Sequence, residues 1–338
     1  MLVKGSPTEE FNIERSLRKG GRLSLFLFLL AKEGFNVLMQ ALLEAGMFHG
    51  YGVGHDNVLC MSHLQFADNT LIIGQKSWLN VCSMRVVLLI LEQLSGLEVN
   101  FHKSLLTGVN VSDSWLSEVA RVLHCRVRAF PFVYLGLPIA GDPRKLDFWS
   151  PILTSISSRL LNWKSKFLSF GGRLILLKSV LSSIPVYFLS FFKAPTGIIS
   201  SIESLFNFFF WGGGEDTRKI TWVDWNSVCL SKEEGGLGVR RLREFNLVLL
   251  GIWCWRMLVD KEGLSYRVLK ARYREEGGRL KEGGGDNSVW WRMLSGIHGG
   301  FGFGEGSWFE ENVRRVVGGG NNTYFWSNNW VGGSPLQV

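Results

Sequence analysis

Apolar and polar positions follow different rhythms along the chain. From Phe35 to Ala45 the apolar residues recur at helical spacing and Gly46 follows, which predicts a helix closed by glycine. From His63 to Ile73, apolar residues flank a short polar centre, Asp68-Asn69-Thr70, the pattern of a β-hairpin. Trp78 to Leu94 predicts a longer helix with Gly96 just beyond its C-terminus, and Gly96 to Gly108 a turn followed by a strand. After Pro138 and the turn chemistry of Gly141-Asp142-Pro143, the pattern is mostly helical from Phe148 to about Tyr273, with breaks expected at Gly171-Gly172 and Pro185. From Glu275 onward Gly, Trp and Asn dominate. These glycines predict turns in a short β-rich piece, because no strand-linked phosphate-loop pattern accompanies them.

Two apolar stretches test for membrane character. Leu23 to Ala31 follows Arg15, Arg18, Lys19 and Arg22 in the manner of a signal sequence. That run is only about half the length needed to span a bilayer, and Lys32 and Glu33 follow it. Val186 to Trp211 is interrupted by Lys193, Pro195 and Glu203, which suits packed helices. No membrane partner is expected.

The 338 residues are 46% hydrophobic and 20% charged, ample material for a globular core. A formal net charge of +8 favours a polyanionic partner. Within the helical region Arg159, Lys164, Lys166, Arg173 and Lys178 alternate with Leu, Trp and Phe. This pattern fits a basic face that grips a nucleic-acid backbone, with Trp163 beside it, and equally an ordinary solvated face. The five cysteines, Cys60, Cys82, Cys125, Cys229 and Cys254, are widely spaced. They form neither a zinc pattern nor a disulfide framework, so reduced thiols in an intracellular protein are expected, with cytoplasm and nucleus both open.

Four segments, in order, carry a family resemblance. Phe66-Ala67-Asp68-Asn69 resembles the aromatic-Ala-Asp-Asp hairpin of reverse transcriptases. Upstream, Arg15-Ser16-Leu17-Arg18-Lys19-Gly20-Gly21-Arg22-Leu23-Ser24-Leu25-Phe26-Leu27-Phe28 is similar to the R-G-L-R-Q-G-D-P-L-S-P-F-L-F segment that positions template and nucleotide. Downstream, Gly96-Leu97-Glu98-Val99-Asn100-Phe101-His102-Lys103-Ser104 resembles G-L-x-[IV]-N-x-x-K-S, and Phe132-Val133-Tyr134-Leu135-Gly136-Leu137-Pro138 resembles the primer-gripping motif. Leu161-Asn162-Trp163-Lys164, Trp222-Val223-Asp224-Trp225 and Gly235-Gly236-Leu237-Gly238 then look like the tract typical of plant LINE-type (non-LTR retrotransposon) reverse transcriptases.

The resemblance implies an α+β fold. Residues 1–140 would be a partial reverse-transcriptase palm, a β-hairpin plus helices. Residues 141–274 would be a mostly helical thumb-like region, and residues 275–338 a Gly/Trp-rich tail preceding a missing zinc-binding domain. It implies Asp68 as metal ligand, with Asn69 and Lys103 in the catalytic set and two Mg²⁺ ions as cofactor. Tyr134, Leu135 and Gly136 would grip the primer. Arg18, Lys19 and Gly20 would lie near template and nucleotide, and an RNA template–DNA primer would be the partner.

Departures from the pattern put polymerisation in doubt. Asn69 stands where the family has a second aspartate, and an amide brings no negative charge to a two-metal site. Lys19, Gly21, Arg22 and Leu25 replace Gln, Asp, Pro and Pro. Only Glu9, Glu10 and Glu14 precede Arg15, with no aspartate to serve as the upstream ligand. A truncated palm with an inactive centre is the expectation, and the missing partner strands predict an exposed apolar face.

Overall fold

The computed structural model describes residues 2–3, 6–7, 22–54, 59–163, 167–212, 221–276, 279–281, 288–298, 309 and 313. The chain divides into two compact units, Met1–Ala129 and Phe130–Val338. The hairpin bearing Tyr134 therefore belongs with the helical unit rather than with the residues before it.

In the first unit a short pair, β1 (Leu2–Val3) and β2 (Ser6–Pro7), precedes helix α1 (Arg22–Glu44). Next come the antiparallel pairs β3 (Tyr51–Val53) with β4 (Leu59–Met61) and β5 (His63–Phe66) with β6 (Asn69–Ile72). Helix α2 (Trp78–Ser95), strand β7 (Leu105–Leu106), helix α3 (Asp113–Leu123) and strand β8 (Arg126–Val127) follow, with β7 and β8 parallel. Every described sheet has two strands. Helix α2 starts at Ser77, whose hydroxyl accepts from Leu79 N–H, and stops at Gly96, left-handed at φ 69°, as the sequence predicts.

Helix α1 begins well before its predicted start at Phe35, because the segment ahead of Phe35 is apolar on almost every side and shows no helical stripe. Only Phe35 and Met39 of α1 are buried, in a cluster with Phe48, Val87 and Leu88. Leu23, Leu25, Phe26, Leu29 and Leu30 are each more than half exposed. Helices α1 and α2 are long and apolar enough to cross a membrane by length and composition, a test that core helices also pass.

A buried amide ties this unit together. Asn80 Nδ2 donates to His49 O at 2.8 Å and Gln75 O at 2.9 Å, while His49 N–H donates to Asn80 Oδ1 at 2.7 Å. The segments before β3 and after β6 are thereby fixed to α2, which places the β5–β6 hairpin. His63, at the root of that hairpin, packs edge-on to Phe35 at 5.3 Å.

The second unit opens with the antiparallel pair β9 (Phe132–Tyr134) and β10 (Leu137–Ile139). A 3-10 turn (Leu146–Trp149) leads into α4 (Ser150–Trp163), α5 (Phe170–Ser179), a second 3-10 turn (Leu181–Ser183), the one-turn helix α6 (Val186–Leu189) and α7 (Thr196–Phe210). Then come α8 (Trp225–Cys229), α9 (Leu242–Val259), α10 (Leu264–Tyr273), the pair β11 (Glu275–Glu276) and β12 (Arg279–Leu280), and α11 (Val289–His298). The expected break at Gly171-Gly172 instead lies within the first turn of α5, where the Ser169 hydroxyl accepts from Gly172 N–H. Ile198, Ile202, Phe206 and Phe209 bury one face of α7 against Trp149, Ile156 and Leu177. The described part of the segment beyond Glu275 is joined to the preceding helices: Trp291, Leu294 and Ile297 share a core with Leu250, Cys254 and Leu269.

From the last residue of α6 onward, the carbonyls of Leu189 to Phe192 have no following helical turn to receive them. Asn246 Nδ2 donates to Leu189 O at 2.6 Å and Phe192 O at 2.9 Å, Trp253 Nε1 to Ser190 O at 2.7 Å, and Trp290 Nε1 to Phe191 O at 2.8 Å. Asn246 Oδ1 also accepts Ala194 N–H at 2.9 Å. Four consecutive carbonyls thus take donors from α9 and α11.

Removing Asn246 orphans two buried carbonyls and one N–H. Asn246→Ala should therefore destabilise the chain by about 4 kcal/mol, at roughly 1–3 kcal/mol per unsatisfied group with partial relaxation, measurable by urea unfolding. In the first unit, burial lowers the His63 pKa from its ordinary 6.5. The unfolded chain then binds the proton more readily, so stability should rise with pH up to about 6.5 and fall below it. His63→Phe should flatten that acid limb in pH-dependent melting.

Candidate functional site

The first group of candidate residues sits on the β5–β6 hairpin. Its register pairs Phe66 with Asn69, so the turn residues are Ala67 and Asp68, one position earlier than the polar centre suggests. Ala67 takes φ 47°, a left-handed conformation that costs an L-residue about 1–3 kcal/mol. The strained turn lifts Asp68 into solvent, with Phe66 beside it 63% exposed. Asn69 Nδ2 donates to Asp68 Oδ1 at 3.2 Å. The residue that replaces a second carboxylate thus presents a donor to the first.

A cation also lies within electrostatic reach of this carboxylate. Helix α1 runs beneath the hairpin, where Gln65 Nε2 donates to Lys32 O at 3.3 Å. Among the described residues the Lys32 ammonium has no hydrogen-bond partner; it is shielded from solvent and lies 5.6 Å from the Phe28 ring centre. Burial lowers its pKa, and the charge of Asp68 opposes that shift.

Lys103 stands on a separate turn. Asn100 accepts Lys103 N–H through both Oδ1 at 3.0 Å and its backbone O at 3.1 Å, while Val99 and Phe101 anchor the segment on the α1–α2 core. The side chain of Lys103 is exposed, and among the described residues no ion pair joins it to Asp68. Among the described residues no three His, Cys, Asp or Glu side chains gather into a metal-holding group. One carboxylate, engaged by an amide donor and faced by an ammonium, does not fit the charge needs of two divalent cations. Arg18, Lys19 and Gly20 lie outside the described residues.

The second group lies in the helical unit. Tyr134-Leu135-Gly136-Leu137 form a two-residue hairpin turn with positive φ at both central positions, 51° at Leu135 and 83° at Gly136. Such a turn ordinarily uses Asn-Gly, and a leucine there is strained. A Cβ at Gly136 would touch the Tyr187 ring at 4.0 Å, so Tyr187 borders the turn. Tyr134 is half-buried, and burial first and Tyr187 second push its phenol pKa up.

The basic helices do not present one set of equivalent cations. Arg159 is exposed on α4. Arg173 is half-buried on α5, with its Nε shielded and without a hydrogen-bond partner among the described residues. Lys178 Nζ donates to Leu237 O at 3.0 Å, tying α5 to the Gly235-Gly236-Leu237-Gly238 loop. A Cβ on Gly236 would lie 2.2 Å from Leu230 O, which explains the glycine in this loop. Trp163 packs on the core 5.8 Å from Phe209. Lys164 and Lys166 lie outside the described residues.

Sequence reasoning missed Lys32, Tyr187 and Asn246. Only Asn246 carried a signal, an amide inside the apolar run Phe245-Asn246-Leu247-Val248-Leu249. Thiol chemistry is disfavoured at two cysteines, since burial pushes Cys229 to about 11 and Cys254 to about 12.

No family model matches the sequence. The chain is similar to an Arabidopsis thaliana protein described as "Putative ribonuclease H protein", 34% identical over 206 residues, which are 59% of this chain and 32% of that protein. The chain thus spans about a third of that relative's length. It is also 32% identical over 151 residues to an uncharacterized mitochondrial protein of Arabidopsis thaliana, covering 44% of this chain and 93% of the relative.

The strained Tyr134–Leu137 turn yields a stability prediction. Leu135→Asn, which tolerates positive φ better, should stabilise the chain by roughly 1 kcal/mol. Gly136→Val should destabilise it by at least as much. Thermal melts of both variants would check the signs.

Proposed function

The chain belongs to the plant protein family of the uncharacterized Arabidopsis mitochondrial protein, and from that premise we propose that it is a retroelement-derived portion of a LINE-type reverse transcriptase, without polymerase activity of its own. The motif order from Arg15 to Pro138 supports the assignment to a reverse transcriptase. The relative described as a ribonuclease H protein is about three times longer than the stretch it shares with this chain, which fits a portion of a larger polypeptide.

One observation carries the loss of catalysis: Asn69 donates its amide to the Asp68 carboxylate where the family places a second acid. Transfer of a nucleotide needs negative oxygens to hold two cations against a triphosphate. This hairpin offers one carboxylate, with Lys32 already supplying positive charge.

A second reading is that the chain retains the holding function of the family and binds nucleic acid without reacting with it. The exposed Arg159, the net charge of +8 and the strained Leu135-Gly136 turn beside Tyr187 favour it. Backbone strain persists where surrounding structure enforces it, and such positions cluster at ligand clamps.

Primer extension on an RNA template, with Mg²⁺ and separately with Mn²⁺, tests the first reading. Product should stay at background for the chain and for Asp68→Ala alike. Extension that Asp68→Ala abolishes would overturn the loss of catalysis. Anisotropy of a labelled primer–template across a salt titration tests the second. Binding should weaken steeply with salt, and a folded chain that binds nothing at low salt would remove it.

A further inference from the structure

Four cations around the β7–β8 pair of the first unit stay in solvent: Lys103, Arg121, Arg126 and Arg128. Strand geometry decides where the last two stand. The two strands run parallel, with Leu105 beside Arg126 and Leu106 beside Val127. Leu106 and Cys125 pack on the cluster of Val81, Val119 and Leu123. Successive residues of a strand point to opposite faces, so Arg126 and Arg128 share the face turned away from that cluster, next to the exposed Leu105. Arg121 is exposed on the last turn of α3, which Cys125 N–H closes by donating to Ala120 O at 3.0 Å. Lys103 stands on the turn that leads into β7.

The main chain holds this edge in place. Arg126 N–H donates to Ser104 O at 3.2 Å and Arg128 N–H to Leu106 O at 2.9 Å. Both arginines therefore start from fixed points about 6.6 Å apart, two residues along a strand. Among the described residues, none of the four cations enters an ion pair. The acids of the same stretch, Asp113 and Glu118, belong to the first turn and the middle of α3. Its aromatic rings, Phe101 and Trp115, pack on the apolar clusters of the unit. This face thus offers charge rather than stacking.

We propose that Arg121, Arg126 and Arg128 form a contact surface for the sugar–phosphate backbone of a nucleic-acid duplex. The inference rests on the nucleic-acid-holding reading above and places part of that contact in the first unit. Arginine suits phosphate oxygens, since its guanidinium presents a planar fork of N–H donors that meets two oxygens at once. Phosphates of one strand follow each other about every 3.4 Å along a duplex axis, so the two strand arginines reach separate phosphates. Contacts of this kind position a duplex and carry no sequence information.

Anisotropy of the full chain with two labelled duplexes of unrelated sequence, from low to high salt, tests this. The variants are Arg126→Gln with Arg128→Gln, and Arg126→Lys with Arg128→Lys, all at exposed side chains. The glutamine pair should weaken binding to both duplexes on the order of ten-fold at low salt, and should flatten the slope of log K against log salt by about 1.8, the loss expected for two phosphate contacts. The lysine pair should keep the slope within about 0.5 of native, a rescue by charge that a purely structural role would not give. Native affinity and slope in the glutamine pair would overturn the surface and leave the holding reading intact. A loss that lysine does not restore, or one confined to a single duplex, would also overturn it. So would a glutamine pair that binds duplex normally yet no longer binds phosphatidylserine vesicles that the native chain holds, which would mark a lipid surface instead. Absence of duplex binding at low salt by the folded native chain would remove the holding reading and this surface with it.

Discussion

The chain that leaves the one-turn helix α6 carries four consecutive carbonyls with no following helical turn to receive them, and the helical unit is arranged around that deficit. The carbonyls of Leu189, Ser190, Phe191 and Phe192 point at α9 and α11, which answer with an amide and two indoles. Left unpaired, each would cost about 1–3 kcal/mol, so the helix pair cannot slide or rotate without losing several bonds together. The spacing follows from this: Asn246 and Trp253 are seven residues apart, two turns along one face of α9. The same bonds fix α6, and with it Tyr187 beside the Tyr134 turn. The smaller unit repeats the solution with Asn80, whose amide joins α2 to the segments flanking its β-strands.

The parts that sequence made legible are those where a local rule is obeyed. Gly96 closes α2 at the predicted place, and the stretch from Val186 to Trp211 packs as helices in the core, as its polar interruptions suggest. The hairpin at Asp68 was legible as a hairpin but not in register, because the polar centre includes Asn69 and Thr70, which belong to β6. Helix α1 was half-hidden, since a segment apolar on nearly all sides has no stripe to read. The candidate site was legible only as an ordered set of motifs. The side chains around them, Lys32 from α1 and Tyr187 from α6, come from elements distant in sequence and obey no spacing rule.

Electrostatics distinguish the two candidate regions. On the hairpin, the Asp68 carboxylate accepts an N–H from the Asn69 amide, and its charge acts on the Lys32 ammonium of α1. On the helical unit, exposed Arg159 and Arg256 face water, and Lys178 is spent on a carbonyl. Both units keep cations in solvent, Lys103, Arg126 and Arg128 in the first and Arg159 and Arg256 in the second.

Strain points the same way. Ala67 and Leu135 both hold positive φ at hairpin turns where glycine or asparagine would sit without cost. A turn with no constraint beyond folding gains from relaxing to those residues, and a free choice at both positions would favour it. At Ala67 the side chain of the strained residue is a single methyl, and what the turn presents is its neighbour, Asp68. At Leu135 the strain places Tyr134 against Tyr187. The two turns thus present different chemistry: a solvent-facing carboxylate that accepts an amide N–H, and a tyrosine held against a second tyrosine ring.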